Sequence, residues 1–162
     1  MIPWDYDIDM ALLKPDFDNA KAALESLDPN LYTLQDWSGA LCPKTYLRVL
    51  VHKTNTLIDI YSYATNKEKR TIRYIYALDD SPYVPKKWKD REQHLMHDIS
   101  IDMLFPLKKV SFDGIEAYVP GETEAWLHFK YGENLGPARL WNAEKNEYIK
   151  DEDHPYWKQS PL

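Results

Sequence analysis

Three carboxylates stand at alternate positions near the start of this chain, in Met1-Ile2-Pro3-Trp4-Asp5-Tyr6-Asp7-Ile8-Asp9. On a β-strand, side chains at i, i+2 and i+4 share one face, so Asp5, Asp7 and Asp9 would project together. Their charges repel, and no cation in the same segment offsets them. A hard divalent cation would, because Mg²⁺ takes oxygen ligands and is commonly held by one or two carboxylates together with a substrate phosphate; Mn²⁺ suits the same oxygen set. The chemistry this spacing points to is metal-dependent phosphoryl transfer, which depends chiefly on positioning and charge neutralisation. A solvated acidic strand face is the plainer reading. A calcium loop is excluded, since it needs Gly at its sixth position and Glu at its twelfth, where this chain has Met10 and Asp16.

Such chemistry needs a further carboxylate on an adjacent strand and a cation for phosphate. In Leu57-Ile58-Asp59-Ile60-Tyr61 a lone Asp sits among apolar residues. Buried there, Asp59 would need a partner or a bound cation; on an edge strand it would simply face water. Asp59 is the candidate third carboxylate and a candidate base for an incoming hydroxyl. Arg48, in Tyr46-Leu47-Arg48-Val49, can grip a phosphate bidentately or be an ordinary surface arginine. His94 and His97 have helical i, i+3 spacing but no third ligand of comparable quality, which argues against a zinc site. The chain has no glycine-rich phosphate loop ending in Gly-Lys and no Gly-x-Ser-x-Gly elbow.

The elements that must position these residues can be read from periodicity. Residues 4–13 read as a strand. Pro15-Asp16 opens a helix, with Phe17, Ala20, Leu24 and Leu27 on its inward face and Asp28-Pro29-Asn30 at its end. Trp37-Ser38-Gly39 reads as a turn. Residues 46–52 and 56–63 read as strands joined through Lys53-Thr54-Asn55 as a hairpin. Lys67-Glu68-Lys69-Arg70 is a solvated charge run before a further strand over 71–78. Turns with Pro82 and Pro85 then lead to a helix over 88–97. Residues 110–119 read as a hairpin on Asp113-Gly114, and 122–131 as a helix stopped by Gly132. The tail over 142–162 is polar and reads as irregular. Together these give an α+β chain built as a single mixed-sheet domain, with the domain assigned to 1–141.

Composition narrows the partners. Net charge is −6 over 162 residues, which argues against a broad nucleic-acid surface. The single cysteine, Cys42, excludes an internal disulfide and any multi-cysteine zinc site. Apolar residues at 44% are enough for a core. Aromatics are heavy at 14%; large rings fill cores, and exposed ones stack on sugars or bases. No apolar run reaches membrane-spanning length and no signal peptide leads the sequence.

The segment from Ile2 to Asp9 resembles the carboxylate motif of the LicD-type transferase family, which includes bacterial phosphocholine transferases, fukutin and fukutin-related protein. Pro3-Trp4-Asp5-Tyr6-Asp7 is similar to the fukutin-related form. Tyr46 to Val49 followed by Leu57 to Tyr61 resembles the family's strand pair, the second strand bearing a further Asp. Phe105-Pro106-Leu107, Val119-Pro120 and Trp126-Leu127-His128-Phe129-Lys130-Tyr131-Gly132 resemble its closing segment. The resemblance implies a nucleotidyltransferase-like sheet. It also implies transfer of a phospho-alcohol, phosphocholine or ribitol phosphate, from a CDP-linked donor to a glycan or glycoconjugate hydroxyl. Asp5, Asp7, Asp9 and Asp59 would be the catalytic and Mg²⁺- or Mn²⁺-binding residues, with Arg48 on the donor. Relatives carry a Gly-Ser/Thr-Leu-Leu-Gly segment ahead of the carboxylates, so the expected domain is N-terminally truncated relative to the family. The rival expectations are a non-catalytic fragment or paralogue with a binding or regulatory role, and a metal-dependent phosphohydrolase. Compartment follows the relative: the Golgi lumen for an animal protein, the cytoplasmic face for a bacterial one.

Overall fold

The computed structural model describes residues 5, 7–40, 42–75, 86, 90, 97–112, 114–133 and 135–155. The expected turns over 79–87 and most of the helix over 88–97, His94 included, lie outside the described residues. The chain divides into two compact units, residues 1–99 and 100–162.

The first unit is organised around one long strand. β1 (Asp7–Leu13) leads through a 3-10 turn (Lys14–Asp16) into α1 (Phe17–Glu25), followed by β2 (Tyr32–Asp36), β3 (Tyr46–Val51), β4 (Thr56–Asn66), β5 (Thr71–Ile75) and β6 (Asp98–Ser100). Residues 57–61 of β4 pair on one edge with β1, parallel, and on the other with β3, antiparallel. Residues 62–66 pair antiparallel with β5. The six strands make a mixed, mostly antiparallel sheet with β2 and β6 at the ends of the main path. The expected β3–β4 hairpin is present; Asn55 takes the left-handed backbone (φ 55°) that its short polar side chain tolerates.

Alternation decides which face does what. Leu47 and Ile60 are buried on one face, and Phe17 of α1 packs against them with Leu12, Leu24, Leu34 and Ile58 around the cluster. Helix α1 thus covers that face, as the Phe17–Ala20–Leu24 spacing predicts. Leu27 does not join it: the helix stops at Glu25, and Leu27 is exposed. The opposite face carries Asp7, Asp9, Arg48 and Asp59. Strand β2 was absent from the sequence reading because Tyr32-Thr33-Leu34-Gln35-Asp36 is a short mixed run; its ladder to β3 supplies the missing partner.

In the second unit, α2 (Ile101–Leu104) is capped by Ser100, whose Oγ accepts from the Asp102 amide at 3.2 Å. β7 (Lys108–Phe112) and β8 (Ile115–Val119) form the expected hairpin, and α3 (Thr123–Tyr131) ends at Gly132, which adopts φ 83°. The start of the segment expected to be irregular is ordered instead: β9 (Arg139–Asn142) and β10 (Glu147–Lys150) form a second hairpin, while residues 156–162 lie outside the described residues. Trp141 and Tyr148 are cross-strand partners with rings 5.1 Å apart, and Asn146 (φ 54°) turns the chain. Neither hairpin joins the main sheet, so the expectation of one sheet holds only for the first unit. No described helix is long and apolar enough to cross a membrane.

Candidate metal centre

The sheet register explains how residues some fifty positions apart become neighbours. Asp9 and Asp59 are cross-strand partners between β1 and β4, and Asp59 is also the partner of Arg48 across β4 and β3. Cross-strand partners share a face, so Asp9, Asp59 and Arg48 lie in one row over three strands. Asp7 stands one face-repeat along β1 from Asp9. Each of Asp7, Asp9 and Asp59 offers a carboxylate oxygen, and these oxygens lie within 4.8 Å of one another. Asp5 is exposed and outside that triad, and its carboxyl group hydrogen-bonds Asp7.

The three members differ in environment. Asp59 is 2% exposed, Asp7 is half-buried and Asp9 is exposed. Burial first, then the hydrogen bond with Asp5 and the charges of Asp9, Asp5 and Asp59, push the Asp7 carboxyl up to about 6. Like charges held this close disfavour ionisation, which is the electrostatic condition a divalent cation relieves. Hard oxygen donors converging from two strands fit Mg²⁺ or Mn²⁺ in ligand type.

Arg48 directs its fork at the site's own carboxylate. Its Nε donates to Asp59 Oδ1 and its Nη2 to Asp59 Oδ2, both at 2.6 Å. An ionised carboxylate has about four acceptor positions, so the bidentate pair leaves acceptor capacity on both oxygens. The Tyr61 hydroxyl makes a long contact with Oδ2, at 3.4 Å. Asp59 holds the Arg48 guanidinium more firmly protonated than usual. The Tyr46 and Tyr61 hydroxyls are pushed up, mainly by burial and further by neighbouring groups that include Asp59, so both stay neutral.

An aromatic frame surrounds this pair that the sequence reading did not single out. The Arg48 guanidinium lies 4.2 Å from the Trp37 ring centroid and 5.5 Å from that of Tyr46. Tyr46 stacks on Tyr61 at 4.8 Å. One signal was available in the sequence. Arg48 and Asp59 stand at equal distance from the centre of the β3–β4 turn, as do Tyr46 and Tyr61, so a tight hairpin must pair them. His97 is exposed.

Residues 1–122 match the family model described as LicD/FKTN/FKRP, nucleotidyltransferase domain. No curated protein matches the chain. The family match contains the whole carboxylate triad and the β3–β4 hairpin that builds it, and the chain belongs to the LicD family.

Proposed function

We propose that the chain transfers a phospho-alcohol, of the phosphocholine or ribitol phosphate type, from a CDP-linked donor to a glycan hydroxyl, on a nucleotidyltransferase-like sheet. The observation that carries this reading is the convergence of Asp7 and Asp9 of β1 with Asp59 of β4, their carboxylate oxygens within 4.8 Å of one another. Family membership supports phosphotransferase-type modification of glycans.

In the reaction, the acceptor oxygen attacks the phosphorus that bears the alcohol. The bond from that phosphorus to the oxygen of CMP breaks in line, CMP leaves, and the acceptor proton passes to a carboxylate. Asp7, Asp9 and Asp59 would hold Mg²⁺ or Mn²⁺, which when bound neutralises donor phosphate charge. Asp59 is held by Arg48 on the buried side of the triad. Its burial and its place among the clustered carboxylates support a ligand role for it. Asp5, exposed and tied to Asp7, orients the acceptor hydroxyl and takes its proton. Arg48, paired to Asp59, would act through that carboxylate.

The test is CMP release from CDP-choline and CDP-ribitol with Mn²⁺, with and without glycan acceptor. The expected result is acceptor-dependent release that chelation abolishes and that Asp7→Asn/Asp9→Asn reduces to background. Metal binding without turnover would instead mark a non-catalytic member, and release independent of acceptor would mark a phosphohydrolase.

A further inference from the structure

The chain leaving β2 is irregular, yet Trp37 and Ser38 are fixed by hydrogen bonds. The Trp37 amide donates to the Tyr46 carbonyl at 2.9 Å, and Ser38 Oγ accepts from the amides of Thr45 (3.0 Å) and Tyr46 (3.3 Å). The Ser38 amide donates to Asp36 Oδ1 at 3.0 Å, and Lys21 of α1 donates to Asp36 Oδ2 at 2.8 Å. The Trp37 indole N–H donates to Gln35 Oε1 at 2.9 Å, which sets the ring's tilt. So held, the ring meets the edge of Tyr46 at 5.5 Å and faces the Arg48 guanidinium at 4.2 Å.

Packing in the cluster under α1 does not account for this ring. Trp37 is half-buried, and the hydrophobic cluster under α1 is built from Phe17, Leu47 and Ile60, which belong to the opposite face of the sheet. What Trp37 contacts is a cation whose Nε and Nη2 grip both oxygens of Asp59. An arginine side chain is rich in rotamers, and a ring over its planar group restricts it to the geometry that the fork requires.

We propose that Trp37 is a positioning residue of the metal centre, acting through Arg48 to fix the Asp59 carboxylate against Asp7 and Asp9. The inference rests on the reading of Asp59 as a metal ligand. Groups that orient a ligand typically cost about 10–100-fold in metal affinity when lost. Trp37→Leu removes the ring. Trp37→Phe keeps a ring over the guanidinium without the indole N–H. Arg48→Lys keeps the charge and loses the fork.

Calorimetric titration of Mn²⁺ into the full chain and these variants, with circular dichroism to confirm folding, is the test. Trp37→Leu and Arg48→Lys are each expected to weaken Mn²⁺ about 10–100-fold, while Trp37→Phe retains most of the affinity. The double variant Trp37→Leu/Arg48→Lys is expected to lose no more than the worse single one, because both act on one link; additive losses would mean that the two residues act on the metal independently. Wild-type affinity in folded Trp37→Leu, equal losses in the Phe and Leu variants, or additive losses would overturn the proposal and leave the metal reading standing. A wild type that binds no Mn²⁺ overturns both. If Trp37→Leu does not fold, Arg48→Lys decides: unchanged affinity there removes the link through which Trp37 would act.

Discussion

Asp7 is the carboxylate on which proton and cation compete most directly. Its pKa of about 6 lies above the ordinary 3.8, chiefly from burial and then from its carboxylate neighbours. A group whose folded pKa is raised contributes stability below its unfolded value, and that contribution is lost as pH rises to the folded one. Without a divalent cation, this group therefore makes the fold less stable as pH climbs from about 4 to about 6. A bound cation needs the ionised form, so its affinity runs the other way, strong above pH 6 and falling below it. Thermal melts at pH 5 and pH 7.5, with and without Mn²⁺, are expected to show the larger metal-dependent rise in Tm at pH 7.5. An equal rise at both would contradict the assignment. The alternation of Asp5, Asp7 and Asp9 is enough to put Asp7 and Asp9 on one face from the sequence alone, because period two is a local property. The Arg48–Asp59 pair was not found, because each residue read alone had a plausible solvent-facing role.

Elements bring these residues together by register. A one-residue slip of β1 against β4 would turn Asp7 and Asp9 to the α1 face and bring Ile8 and Met10 beside Asp59. The packing of Leu12 against the α1-side cluster holds the observed register. The strands of the β3–β4 hairpin were readable from alternation and a short polar turn, and β1 from its own pattern. Their mutual order was not, since a parallel β1–β4 pairing spans α1, β2 and β3 and leaves no local trace. The β9–β10 hairpin was hidden for another reason: its Leu140-Trp141 and Tyr148-Ile149 pairs are brief apolar islands in a charged tail. In the second unit, the turn into α3 depends on close backbone approach. Gly121 donates to the Leu104 carbonyl at 2.8 Å, and a Cβ there would stand 2.5 Å from the Pro106 carbonyl oxygen. Backbone cannot yield as a side-chain tip can, so Gly121→Ala is expected to destabilise by about 1–3 kcal/mol, the usual cost of overpacking. Urea denaturation reads this directly, and a wild-type midpoint would refute it.

At the scale of the whole molecule, one face of the main sheet packs against α1, and the other sets its carboxylates beside a row of packed tyrosines. Helix α1 and the Phe17–Leu47–Ile60 cluster anchor the sheet from one side. The other side gathers carboxylates that repel one another unless a cation joins them. The net charge of −6 has the sign that attracts cations. The central claim is that one divalent ion joins β1 to β4 through Asp7, Asp9 and Asp59. Anomalous diffraction at the manganese edge, from crystals of the full chain grown with Mn²⁺, tests it most directly. The account predicts a single strong peak bonded to carboxylate oxygens of all three residues, with Arg48 still paired to Asp59. Manganese bound elsewhere, or no peak at this triad at saturating Mn²⁺, would contradict it.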